Sequence, residues 1–283
     1  MPASPSSSVQ AARKAIADRL RELRKDAGLT GRALAEGAGW YKSKVSRLEN
    51  AVTPPSDDDI RRWCAACGAE DEAPDLIAAV RSADSMYVEW RRVQRTGLRR
   101  LQESYVPLYE RTRVFRTYCA NVVPGVLQTR GYATALLGSI SRFHGTPDDV
   151  ADAVEARLAR SACVVHEGDH RFALLLEESV LRHRVGDAET MAGQLRHLLT
   201  AMALPSVSLG VIPSSAERRM WMIETFTVYD DAQAEVELLT ARVNVTAPTE
   251  VRQYLSAFRE FSRIAVYGAE ARDLITTAMD ALL

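Results

Sequence analysis

Residues 30–50, Thr-Gly-Arg-Ala-Leu-Ala-Glu-Gly-Ala-Gly-Trp-Tyr-Lys-Ser-Lys-Val-Ser-Arg-Leu-Glu-Asn, leave the chain few ways to fold. The period predicts two short helices with a tight break between them. Thr30 is placed to cap the first, and Leu34 and Ala35 give it an apolar stripe; Gly37 and Gly39 then interrupt it. Val45 and Leu48 form an i, i+3 apolar pair that faces a core in the second helix. Its outward face carries Lys42, Ser43, Lys44, Ser46 and Arg47. A short helix that is basic and hydroxyl-rich outside, and pinned by Val and Leu inside, suits insertion into a DNA major groove. The competing reading is a solvated basic face on an ordinary helical bundle.

At 283 residues the chain has room for two domains. Hydrophobic residues at 47% and charged residues at 26% are ordinary for a soluble globular protein. No run of about 18 apolar residues predicts a membrane-spanning helix. Residues 1–12 begin Met-Pro-Ala-Ser-Pro-Ser-Ser-Ser, without the apolar centre of a signal peptide, and are expected to be a disordered lead-in. Four unevenly spaced cysteines do not describe a disulfide framework, so a reducing cytoplasm is expected.

The net charge of −1 hides an uneven distribution. Residues 13–53 hold ten Lys/Arg and five Asp/Glu, and residues 88–116 hold eight Arg and three Glu, +5 in each case. Residues 117–283 hold 15 basic and 21 acidic residues, a net of −6. A basic first part joined to an acidic second part suggests that only the first meets a polyanion.

The segment around the motif reads as five helices. The first runs over about residues 13–27, with Ile16, Leu20 and Leu23 at helical spacing and Gly28 at its end. After the Pro54-Pro55 loop, Ser56 and Asp59 predict a capped fourth helix to Cys67, with Ile60, Trp63, Cys64 and Cys67 on one face. A fifth follows over residues 74–82. Residues 16–68 resemble the XRE family of helix-turn-helix domains. The match is carried by Leu-Arg-Glu-Leu-Arg-Lys-Asp-Ala-Gly-Leu-Thr (20–30), Leu34-Ala35, Gly39, Ser-Lys-Val-Ser-Arg-Leu-Glu-Asn (43–50) and Pro-Pro-Ser (54–56). The resemblance implies an all-α, five-helix, lambda-repressor-like DNA-binding domain. It also implies base contacts from Lys42, Ser43 and Arg47, and phosphate contacts from Lys44 and Asn50. Arg47 is suited to a bidentate contact with guanine, worth ~1–3 kcal/mol of discrimination. Two positions depart from the family. Gly31 stands where Gln usually follows the capping Thr, and Tyr41 stands where a small polar residue usually caps the recognition helix.

Residues 83–105 are expected to form an arginine-rich linker helix, against DNA backbone or against acids of the second domain. Beyond them the texture is mixed. Strands are expected at 113–119, 171–176, 207–212, 222–229 and 235–239, with a hairpin through Asp230-Asp231. Helices are expected over 129–138, 148–163, 191–203, 249–267 and 269–282. Val-Pro-Gly-Val-Leu-Gln-Thr (123–129), Tyr132-Ala133, Glu-Glu-Ser-Val-Leu-Arg (177–182), Val185-Gly186 and Met-Ala-Gly-Gln-Leu-Arg-His-Leu (191–198) resemble the C-terminal domain of actinomycete WhiJ-type, antitoxin-like regulators. That resemblance implies an α+β domain of unknown function and a small partner protein, but no ligand.

Other chemistry-bearing residues carry less. Cys64 and Cys67 have CxxC spacing inside a helix, where core packing is favoured over redox sensing. His166 and His170, with Cys163 nearby, are separated by Gly168-Asp169, which predicts a turn and not a metal-binding helix. Glu177 and Glu178 are expected to pair with Arg182 and Arg184. No P-loop, GxGxxG or HExxH occurs, so neither an enzyme nor a cofactor is expected.

The expected organisation is thus a lead-in (1–12), a DNA-binding domain (13–82), a linker helix (83–105) and an α+β regulatory domain (106–283). The expected function is that of a cytoplasmic transcriptional regulator, a homodimer on a palindromic double-stranded DNA operator. The alternatives are an antitoxin-like module that sequesters a small partner protein, and a receptor for a small-molecule effector.

Overall fold

The computed structural model describes the backbone of residues 7–82, 87–89 and 97–282. Two compact units divide the chain: Met1–Tyr87 with Val243–Val251, and Val88–Arg242 with Arg252–Leu283.

Helices α1 (Ser7–Asp26), α2 (Gly31–Ala38), α3 (Lys42–Glu49), α4 (Asp57–Cys67) and α5 (Ala73–Ser82) build the first unit. The expected signals sit at their ends. Thr30 Oγ1 accepts the Ala33 amide at 3.1 Å, and Gly39 closes α2 at φ 71°. Ser56 and Asp59 form a reciprocal capping box at α4. The start of α1 at Ser7 is a difference, since helix already covers part of the expected lead-in. Leu20, Leu34, Leu48, Ile60, Trp63 and Cys64 are buried together. Trp63 gives this core its polar anchor, its indole N–H donating to the Leu20 carbonyl at 2.9 Å.

The arginine-rich helix expected over 83–105 falls partly outside the described residues. Where the backbone is described, it differs: Tyr87–Glu89 is a strand, β1, and helix begins only at α6 (Leu98–Ser104). The reason lies 50 residues away. The Asp149 carboxylate accepts the Leu98 and Arg99 amides at 2.8 and 2.9 Å, fixing a helix start there. Gly97 precedes it at φ 96°, and a Cβ at that position would collide with the same carboxylate.

The second unit is α+β, as expected. Its strands are β2 (Val114–Cys119), β3 (Arg171–Glu177), β4 (Val207–Ile212), β5 (Phe226–Tyr229) and β6 (Gln233–Glu237). Strand β7 (Ala241–Val245) follows, and the strand order within this unit is β6-β5-β2-β3-β4. β2, β3 and β4 run parallel, and β5 and β6 antiparallel. The hairpin does turn at Asp230, which sits at φ 55° and accepts the Arg113 and Val114 amides at 3.0 and 2.8 Å.

Helix α7 (Val106–Arg111) precedes β2; between β2 and β3 run α8 (Arg130–His144) and α9 (Val150–His166), and between β3 and β4 run α10 (Glu178–Arg182) and α11 (Ala188–Ala201). The chain ends on α12 (Pro248–Ile264) and α13 (Gly268–Asp280). One core joins Phe115, Phe172, Leu174 and Leu176 of the sheet to Tyr132, Met191, Leu195 and Ile275. Strand β7 and the short helices α7 and α10 are additions to the sequence expectation. Among the described residues no helix is long and apolar enough to cross a membrane.

Candidate nucleic-acid interface

Helix α3 presents two opposite faces. Val45 and Leu48 are buried, while Lys42, Ser43, Ser46 and Arg47 are exposed. At 100° per residue these four span about 140° of the helix, one continuous outer face. Neither Lys42 nor Arg47 has an ion-pair partner among the described residues. Two further sequence-expected contacts are engaged within the protein. Lys44 Nζ meets Asp59 Oδ1 at 2.5 Å and lies 4.5 Å from the centre of the Trp40 ring. Burial opposes ionisation of Asp59, but Lys44 and the Ser56 amide and hydroxyl outweigh it and hold the carboxyl below its usual value. Asn50 is exposed at the C-terminal end of α3. Its amide donates to the Ser46 carbonyl at 2.7 Å, and its oxygen accepts from Arg21 at 3.3 Å.

A clamp that sequence periodicity did not reveal holds α3 from behind. Glu49 ends α3, where a carboxylate opposes the helix dipole. Arg24 offsets this with bonds of 2.6 and 3.2 Å to its two oxygens, and also donates to the Leu29 carbonyl at 2.7 Å. Arg21 reaches the Glu49 carbonyl at 2.5 Å. The signal was present as two arginines three apart on α1, but only the fold brings them to Glu49. At the other end, Tyr41 makes no side-chain cap and is 86% exposed, which leaves the first turn of α3 accessible. Gly31 is not sterically required: a Cβ there would meet Val45 at an ordinary 3.6 Å.

This is the geometry of a helix-turn-helix, and a family profile described as a helix-turn-helix domain matches residues 15–76. A second profile, described as a domain of unknown function (DUF5753), matches residues 102–277, more than half of the chain. The chain belongs to the DUF5753 family. No curated protein matches it. Among solved structures it is similar to TrmBL2, an archaeal chromatin protein described as showing a novel mode of DNA binding. The identity is 12% and the TM-score 0.32, over 89% of this chain and 99% of that one, a likeness too slight to carry an argument.

Within the DUF5753 region the acidic pairs are structural. Glu178 accepts from Arg182 at 2.7 Å and from the Ser214 amide at 2.9 Å. Glu177 pairs not with Arg184 but with Arg218, at 2.9 and 2.5 Å, and accepts the Tyr118 hydroxyl at 2.8 Å. His170 Nδ1 lies 2.7 Å from the Thr112 carbonyl, and α9 ends at His166, before the expected turn. Among the described residues no three His, Cys, Asp or Glu side chains are grouped to hold a metal ion. In the first unit, burial pushes the Cys64 thiol up to about 11, which keeps it protonated and a poor nucleophile.

Glu235 is the perturbed acid of this region. It is buried on β6, accepts the Tyr105 hydroxyl at 2.7 Å and lies 3.6 Å from Arg242. Burial, reinforced by Glu237, raises its pKa from 4.5 to about 7 against the opposing pull of Arg242. Between those values the folded protein retains a proton that the unfolded chain has released. Glu235 is therefore expected to contribute a fall in stability as pH rises through this window, by on the order of 3 kcal/mol, and this contribution to be absent in Glu235→Gln. Denaturant unfolding of both proteins between pH 5 and 8 measures it. Parallel pH dependences in the two would remove Glu235 as the cause.

Proposed function

We propose that this protein is a sequence-specific DNA-binding transcriptional regulator of the WhiJ-like, XRE-type class, and not an enzyme. On this reading residues 13–82 form the DNA-binding domain and residues 106–283 a regulatory domain joined to it through residues 83–105. The observation that carries the reading is the outer face of α3: Lys42, Ser43 and Arg47 are exposed, the two cations have no ion-pair partner among the described residues, and Arg21, Arg24 and the core hold the helix from behind. Lys42, Ser43 and Arg47 then read base edges. Lys44 and Asn50 contact phosphate, Lys44 by exchanging Asp59 for a phosphate oxygen. One helix reads only a few base pairs, so a homodimer on an inverted repeat, with half-sites about 34 Å apart, supplies the specificity.

Selection from a random pool of duplexes is expected to return a palindromic consensus. On that consensus Arg47→Ala loses ~1–3 kcal/mol and relaxes preference at one position per half-site. Lys44→Ala keeps the ranking of sequences and lowers the salt slope by up to about 0.9 per half-site. Equal losses on all sequences for Arg47→Ala would rule out base reading by that side chain.

A further inference from the structure

A cavity of about 540 Å³ opens within the second unit, between α6, α8 and α9 on one side and β2, β5 and β6 on the other. That volume lies in the range of small-molecule sites. Tyr109, Phe115, Phe172 and Tyr229 build one wall, ring against ring at centroid distances of 4.7 to 6.2 Å. Leu136 and Ile140 of α8 line it too. Such a lining takes an apolar body.

The polar groups of the lining are unusual in one respect. Arg157 and Arg160, one turn apart on α9, both line this cavity, and neither is paired with a carboxylate among the described residues. Arg157 donates to the side-chain oxygens of Gln102 at 3.0 Å and Gln128 at 2.5 Å. Gln128 is held in that sense because its amide donates to the Val123 carbonyl at 2.7 Å. Arg160 is 7% exposed, donates to the Gln102 carbonyl at 2.7 Å and lies 4.6 Å from the Tyr109 ring centre. Its Nε has no hydrogen-bond partner among the described residues.

Two nearby guanidiniums repel each other, and buried cations are normally paired, so neutral partners and an orphaned N–H describe half of a site. Burial and repulsion by Arg160 depress the Arg157 pKa to about 10. The carboxylates of the lining act on the two arginines only at a distance, Glu237 on Arg157 and Glu235 on Arg160, and form no ion pair with them among the described residues. Glu235 is taken by Tyr105 and Arg242, and Glu237 is exposed.

We propose that this cavity binds an amphipathic organic carboxylate, its head on Arg157 and Arg160 and its apolar body against the aromatic wall. A guanidinium fork fits a planar carboxylate in bidentate fashion. The presence of Glu235 and Glu237 favours a head with one negative charge over a dianion. The inference deepens the regulatory role proposed for this domain by naming its effector class, but binding itself does not depend on DNA recognition.

The test uses the full-length protein without DNA, at pH 8 and at a temperature where its near-ultraviolet circular dichroism is native. The probe is 8-anilinonaphthalene-1-sulfonate, which carries the same combination of apolar body and single negative head. Decanoate is expected to displace it at a concentration at least about tenfold below that of decanol, and inorganic phosphate not to displace it. Arg160→Met is expected to weaken decanoate about tenfold and to leave decanol unchanged. Displacement by decanol as effective as by decanoate overturns the proposal, as does a native protein that takes up no dye. The comparison of head groups on the unaltered protein stands even where the substitution prevents folding. Operator affinity measured without ligand is a separate readout, so a failure here is distinguishable from a failure of the DNA-binding reading.

Discussion

Trp63→Ala is expected to cost the helical unit about 3–5 kcal/mol and, with that, its DNA binding. The indole is fully buried between α1, α2 and α4 and is the largest side chain of this core. Its removal leaves a cavity and also leaves the Leu20 carbonyl without the donor that meets it at 2.9 Å. The consequence reaches α3 through Trp40, whose ring lies 6.2 Å from that of Trp63 and directly under Lys44. For a unit of this size each kcal/mol moves the melting temperature by roughly 4–8 °C, so the loss is expected to leave little folded helix-turn-helix at growth temperatures. Trp63→Phe keeps most of the volume and loses chiefly the hydrogen bond, and is expected to cost about half as much or less. Thermal unfolding followed by circular dichroism, with fluorescence anisotropy on a labelled duplex, measures both effects. An alanine variant that melts with the parent would show that the core does not depend on this side chain.

Glu177→Ala is expected to destabilise the second unit by about 2–4 kcal/mol. The carboxylate is 2% exposed at the end of β3 and satisfies three donor groups on Tyr118 and Arg218. Truncation leaves the buried Tyr118 phenol and the partly exposed Arg218 guanidinium without their acceptor. Arg218 belongs to the irregular segment between β4 and β5, where Trp221 is 75% exposed, and the ion pair ties the middle of this segment to the sheet, between the bonds of Ser214 to Glu178 and of Thr225 to Ala120. Faster tryptic cleavage after Arg218 or Arg219 is therefore expected together with a lower denaturation midpoint. Cleavage at the parental rate in a destabilised variant would separate the ion pair from the anchoring of the segment.

Where an element is specified by neighbours in the chain, its place could be read directly. Thr30, Gly39, Ser56 with Asp59, and Gly68 act within four residues of themselves, and the helices they bound fall where expected. Strands β3 and β4 read as runs of branched and apolar residues because both their faces are buried. The misreadings have the opposite origin. The helix expected over 83–105 holds at Leu98–Ser104 and fails at Tyr87–Glu89, and its start at Leu98 is set by Asp149 from 50 residues away. Of the local pairs expected between Glu177, Glu178, Arg182 and Arg184, Glu178 with Arg182 forms, whereas the sheet delivers to Glu177 the guanidinium of Arg218, 41 residues on.

The sequence by itself determined that residues 30–50 form a helix-turn-helix and that Lys42, Ser43 and Arg47 lie on its outer face. Helical period and short-range capping suffice for both. Only the tertiary structure decided how that helix is held and which of its cations are free. Glu49 is clamped by Arg21 and Arg24, and Lys44 is drawn onto Asp59. It also decided that Arg157 and Arg160 line an aromatic cavity without an ion-paired carboxylate among the described residues. Charge pairing over long separations is a property of packing, and the order of residues along the chain does not carry it.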